Sequence, residues 1–211
     1  MNATTPWPGL KRSLIAILRG IQPEEVADTI SVLVEAGFEA IEIPLNSPDP
    51  FRSIRIAVDT APAGCLLGAG TVLTKEEVDR LDDAGGKLLV SPNVDRSVIA
   101  HAGLLKMVTM PGVFTPTEAL SAVQAGASGL KFFPANVLGP AGIAAIRAVL
   151  PPGTEIGAVG GVSHENFSAY GAAGVRTFGL GSSLYKPGMK AEDVAGNARI
   201  AVRAYDEVFG G

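Results

Sequence analysis

Gly129-Leu130-Lys131-Phe132-Phe133-Pro134 reads as a strand, and it carries one lysine inside an almost wholly apolar run. Strands that are apolar on both faces belong to sheets covered by helices on each side, so this stretch points to an α/β protein built on a parallel sheet. A charge in such a strand needs a reason. Burial disfavours the ammonium form and lowers a lysine pKa from its reference of about 10.4. A lysine that is neutral near pH 7 attacks carbonyls and forms Schiff bases. The structural alternative is a strand-end lysine that snorkels to water or pairs with a carboxylate.

The same alternation surrounds this strand. Leu14-Ile15-Ala16-Ile17-Leu18, Ala40-Ile41-Glu42-Ile43-Pro44 and Leu66-Leu67-Gly68-Ala69-Gly70 read as the first three strands. Residues 87–91, 106–110, 128–133, 155–159 and 176–180 supply five more. Helical patterns lie between them. Pro23-Glu24-Glu25 suits a first helical turn, and Val26, Ile30, Leu33 and Val34 share one face before Gly37. Thr74-Lys75-Glu76-Glu77 has capping-box spacing, and Thr115-Pro116-Thr117-Glu118 opens another helix. Further helices are expected over 51–60, 94–102, 140–150, 163–172 and 191–208. Eight strand–helix units in 211 residues favour a closed (β/α)₈ (TIM) barrel as a single domain spanning 1–211, with a short N-terminal extension over 1–12. A doubly wound open sheet is the rival.

Composition narrows the function. The chain is 47% hydrophobic and 18% charged, enough for one sizeable core. Gly 26 and Pro 15 are scattered between apolar runs, as many short turns require. A net charge of -4, without a Lys/Arg cluster, excludes a nucleic-acid footprint. No apolar run approaches a membrane span, and Met1 to Pro8 lacks a signal-peptide pattern. One cysteine, Cys65, cannot form an intrachain disulfide, so a cytoplasmic setting is the default.

In a barrel the chemistry collects at the C-terminal strand ends. These supply Arg19, Glu42, Thr71, Pro111-Gly112, Lys131, Val159-Gly160-Gly161 and Gly181-Ser182, with Asn46 just beyond the second strand. Glu42 is a second charge in an apolar strand. A carboxylate beside a reactive amine can shuttle protons through carbinolamine formation, dehydration and carbon–carbon cleavage. Pairing with Glu42 would favour the ammonium form of Lys131, whereas burial opposes it. Glycines at the last two strand ends let backbone amides approach an anion, although tight turns need glycine anyway. Arg19 suits a carboxylate or phosphate oxygen, or it is a solvated strand-end charge. His101 and His164 fall in helices, and no His, Asp or Glu set has metal-ligand spacing. Trp7 suits packing over the barrel bottom or against a neighbouring subunit.

Five stretches together carry a resemblance. Residues 14–20, Ile41-Glu42-Ile43-Pro44-Leu45-Asn46-Ser47-Pro48, Gly68-Ala69-Gly70-Thr71-Val72-Leu73, Leu130-Lys131-Phe132-Phe133-Pro134 and Gly179-Leu180-Gly181-Ser182 look like the class I 2-keto-3-deoxy-6-phosphogluconate/6-phosphogalactonate aldolases. The likeness runs from about Leu14 to Tyr205. It implies a homotrimeric barrel without metal or cofactor, acting on a phosphosugar acid and releasing pyruvate and glyceraldehyde 3-phosphate. By position, Lys131 resembles the Schiff-base lysine and Glu42 the general acid/base. Arg19 and Thr71 match contacts to the pyruvate end; Gly160, Gly161, Gly181 and Ser182 match the phosphate cradle.

Two places separate the branches. Glu42-Ile43-Pro44-Leu45-Asn46-Ser47 resembles the phosphogalactonate branch, where the phosphogluconate enzymes usually show threonine and arginine. Ala158-Val159-Gly160-Gly161 stands where they carry Pro-Thr-Gly-Gly. The two substrates differ at C4, and a valine there cannot hydrogen-bond a substrate hydroxyl. The loss is worth on the order of 1–3 kcal/mol. The phosphogalactonate substrate is therefore favoured over phosphogluconate or hydroxy-oxoglutarate. Rivals of other kinds are a non-catalytic phosphosugar-binding barrel and a metal-dependent aldolase.

Overall fold

The computed structural model describes residues 4–210. Of the expected extension over 1–12, residues 1–3 lie outside the described residues. The order is β1 (Leu14–Ile17), α1 (Val26–Ala36), β2 (Ala40–Pro44), α2 (Pro50–Thr60), β3 (Leu66–Gly70), α3 (Lys75–Asp83) and β4 (Leu88–Val90). Then come α4 (Arg96–Leu104), β5 (Val108–Met110), β6 (Gly112–Val113), α5 (Pro116–Ala125), β7 (Leu130–Phe132) and α6 (Ala135–Arg147). β8 (Ile156–Val159), α7 (Phe167–Ala172), β9 (Thr177–Leu180) and α8 (Ala191–Phe209) complete it.

All neighbouring strands pair in parallel, in the order β5-β4-β3-β2-β1-β9-β8-β7-β6. The two ends of that ladder are one stretch of chain. Pro111 separates β5 from β6; it has no N–H to give a ladder and breaks the strand there. The first half pairs with β4 and the second with β7. The Pro111 carbonyl still accepts from the Lys131 N–H at 2.9 Å. The sheet thus comes round as a nearly closed parallel barrel with the helices outside; the strand expected over 106–110 is present as β5, and a further short strand, β6, lies beyond Pro111.

Other boundaries follow local chemistry. Thr74 and Glu77 form the expected reciprocal cap, as do Thr115 and Glu118. Pro23–Glu25 forms a 3₁₀ turn before α1. The helix expected over 140–150 begins earlier, at Ala135, and is broken at Gly139 (φ 70°, ψ 165°). Pro140 therefore opens the second piece, where a missing N–H costs least.

Strand parity divides the core in two. Leu14, Ala16, Ile41, Ile43, Leu67, Ala69, Leu130, Phe132 and Phe178 point outward to the helices. Ile15, Ala40, Leu88, Val90, Val108 and Met110 point inward. Trp7 and Leu10 pack onto this inner cluster. The Trp7 indole N–H donates to Ser13 Oγ at 3.4 Å, and Ser13, Thr177 and Glu155 continue a hydrogen-bonded chain. Of the two settings expected for Trp7, the structure shows the barrel bottom. Among the described residues, no helix is long and apolar enough to cross a membrane.

Candidate active site

Glu42 lies at the middle of β2 and Lys131 at the middle of β7, with relative exposures of 2% and 6%. Both follow the inward parity of their strands. Register explains how such long polar side chains fit inside. Lys131 is paired with Gly112 on one side and Gly157 on the other. Glu42 is paired with Ile17 and Gly68. A Cβ added at Gly70 would sit 2.1 Å from Glu42 Oε2, so the carboxyl rests against that glycine's bare backbone. A barrel interior is ordinarily filled by side chains. Here the bare backbone of Gly70 leaves room for the carboxyl.

No Lys131–Glu42 ion pair within 4 Å occurs, and Glu42 Oε2 is sealed from solvent without a hydrogen-bond partner. Burial raises the Glu42 carboxyl from its ordinary value near 4.5 to about 7, against the pull of Lys131 and Arg19. Burial also lowers Lys131; the Glu42 charge opposes this and the Arg19 charge adds to it. Of the two opposing effects expected from the sequence, burial wins on both groups. Each is biased toward its neutral form, as a nucleophilic amine and an acid–base carboxyl require. The Phe133 ring lies 4.7 Å below the Lys131 ammonium position.

Arg19 follows β1, exposed, and Nη1 donates to Asn46 Oδ1 at 2.5 Å. It lines a cavity of about 170 Å³ with Ile17, Phe133, Val159, Gly160, Gly161, Gly181 and Ser182. Gly160 and Gly161 have φ of 93° and 70°, the left-handed region that favours glycine. The Asn136 N–H donates to the Gly160 carbonyl, and a Cβ at Gly161 would meet the Asn136 side chain at 2.6 Å. Thr71 follows Gly70 but does not line this cavity. Its φ of 58° is unusual for a β-branched residue, a strain seen mostly at turns and functional sites. A larger groove of about 550 Å³ lies at the opposite barrel end, lined by Arg147, Glu155 and Arg176 among others; it holds none of the candidate residues.

The sequence reading passed over Ile17, Phe133 and Gly157. Phe133 could have been found from its place two residues beyond Lys131. Gly157 could not, because its place beside Lys131 depends on strand register. His101 pairs with Asp79 on the neighbouring helix and stands apart from the site. Cys65 is half-buried, with its thiol pKa pushed up to about 11 by burial and Glu39, an inert setting.

The chain is similar to known proteins over nearly its whole length. The family model "Aldolase: KDPG and KHG aldolase" matches residues 10–200. The chain is 66% identical over 206 residues to the probable 2-dehydro-3-deoxy-6-phosphogalactonate aldolase of Rhizobium meliloti, covering 98% of this chain and 97% of that one. It is 46% identical to the 2-dehydro-3-deoxy-6-phosphogalactonate aldolase of Escherichia coli, covering 93% and 96%. A solved structure described as native KDPGal superposes with a TM-score of 0.93 at 45% identity, over 96% of this chain and 98% of that one.

Glu42 makes a checkable pH signature. Between about pH 4.5 and 7 the folded chain holds a proton on Glu42 that the unfolded chain has released. Stability from this group therefore falls as pH rises through that window and levels off above it. Glu42→Gln removes the effect. Its Tm should match wild type near pH 4.5 and exceed it by a few degrees at pH 8; a gap that ignores pH would contradict the buried-acid assignment.

Proposed function

The chain belongs to the KDPG and KHG aldolase family and is thus a carbon–carbon lyase; from that premise we propose that it cleaves 2-dehydro-3-deoxy-6-phosphogalactonate reversibly to pyruvate and D-glyceraldehyde 3-phosphate, with Lys131 as its Schiff-base residue. One observation carries the assignment of roles: an amine and a carboxyl, both biased toward neutrality, are buried on facing strands inside the barrel, each within reach of the other's charge.

Lys131 Nζ attacks the C2 ketone. Loss of water from the carbinolamine gives an iminium. Glu42, as carboxylate, takes the proton of the C4 hydroxyl, directly or through a water. The C3–C4 bond breaks, its electron pair flows into the iminium, and the aldehyde departs. The remaining enamine takes a proton at C3 from Glu42, and water releases pyruvate from Lys131. A group titrating near 7 serves both as the base and as the acid of this cycle. Arg19 and Thr71 hold the pyruvate-derived end, and the turns at Gly160, Gly161, Gly181 and Ser182 hold the phosphate. The cavity walled by those turns supports the phosphate end; Arg19 lines the same cavity, at its meeting with the rest of the substrate, and Thr71 stands outside it.

The galactonate epimer rests on two features. The relatives at 66% and 46% identity carry that substrate in their names. Val159 lines the cavity with an apolar face where a hydroxyl would favour the other epimer. We also read the chain as one (β/α)₈ barrel domain, with residues 1–12 as an N-terminal extension, that assembles as a homotrimer. Exposed Leu73, Leu104, Phe114 and Val137 supply apolar surface for such an assembly.

Borohydride with pyruvate should add one reduced adduct to wild type and none to Lys131→Ala; an adduct that survives in the variant would move the nucleophile elsewhere. On the two C4 epimers, wild type should turn over the galactonate form faster, and Val159→Thr should shift the ratio toward the gluconate form by about tenfold, or roughly 1.4 kcal/mol. An unchanged ratio would remove Val159 from the specificity account. Light scattering should give three times the chain mass and calorimetry one transition; a monomer or two separate transitions would overturn the assembly or the domain reading.

A further inference from the structure

Arg19 presents a problem of placement. It lies on the surface after β1, and a guanidinium on a long stem carries about 2 kcal/mol of rotamer entropy. Its charge nevertheless acts on both Glu42 and Lys131, and it lines the candidate cavity. No carboxylate pairs with it among the described residues.

The backbone beneath it is fixed. The Leu18 N–H donates to the Glu42 carbonyl at 3.0 Å, and the Gly20 N–H donates to Ser47 Oγ at 2.9 Å. Gly20 has φ of 83°, and a Cβ there would fall 2.8 Å from Pro187 Cγ. The Arg19-Gly20 corner is therefore held against the turn after β2. Only the arginine side chain is left to be oriented, and its hydrogen-bond partner is Asn46 Oδ1, on that same turn.

We propose that Asn46 is a positioning residue: its amide oxygen fixes the Arg19 guanidinium at the cavity wall, so that the cation meets the anionic end of a keto-acid substrate. The inference rests on the aldolase reading given above. The choice of an amide has a physical reason. A neutral acceptor orients the guanidinium without cancelling its charge and leaves its remaining N–H groups for the substrate. An aspartate would hold Arg19 equally well and compete with the substrate for it.

Steady-state kinetics on the galactonate substrate test this with Asn46→Ala, Asn46→Asp, Arg19→Ala and the Arg19→Ala/Asn46→Ala pair. Asn46→Ala should raise KM about tenfold with kcat within about twofold and an unchanged Tm. In the Arg19→Ala background the same change should add less than about twofold, because the group it orients is gone. Asn46→Asp should also raise KM, and added salt should shrink that increase by screening the new charge. A KM near wild type in Asn46→Ala, an equal tenfold effect without Arg19, or wild-type behaviour of Asn46→Asp would each overturn the proposal. Borohydride trapping at saturating pyruvate separates it from the reading beneath it. An adduct in all Asn46 variants with an unmoved KM sinks only the role of Asn46, whereas no adduct in wild type sinks the Schiff-base assignment itself.

Discussion

The site depends on one constraint: two ionisable side chains occupy a barrel interior without forming an ion pair. Desolvation of a carboxyl and an amine is costly when neither is compensated, and each responds by shifting toward its neutral form. Glycines beside the pair do two different jobs. Gly70 leaves its bare backbone against the Glu42 carboxyl, where a Cβ would strike Oε2. Gly112 and Gly157, the register partners of Lys131, and Gly68, the partner of Glu42, serve strand packing: a Cβ at Gly112 would meet the Pro92 carbonyl and one at Gly68 would lie within 2 Å of the Leu88 carbonyl oxygen.

Much of the fold was legible in the sequence because its signals are local. Apolar runs bounded by turns marked the strands, and the two capping boxes marked α3 and α5. What escaped was a matter of single residues. The short strand beyond Pro111 carries too few residues to show as an apolar run, and Gly139 breaks α6 ahead of a proline that periodicity placed at the helix start. The outlying charges Glu42 and Lys131 were legible for the opposite reason: an apolar strand makes a charge conspicuous. Their protonation was not, because it turns on the balance of burial against pairing, which only coordinates supply. Phe133, Ile17 and Gly157 belong to the same class. They are unremarkable as letters, and their role comes from register across strands far apart in the chain.

Arg19 and the glycine turns form the outer part of the same arrangement. Glu42 and Lys131 are deep and dry, whereas Arg19 reaches them electrostatically from an exposed loop. Rigid strands carry the inner pair, and loops tied to each other carry the outer cation. This matches the general division of labour in such barrels, in which the strands set the scaffold and the βα loops adjust the surroundings.

The Trp7 indole and Leu10 lie against the lower inner cluster, with the chain of Ser13, Thr177 and Glu155 beside them. A barrel stoppered at one end has a single door. Whatever enters must come out by the way it went in, and depth alone then sets the queue. In the proposed cycle, a fragment tethered to the deep lysine is last in line, behind anything held at the rim.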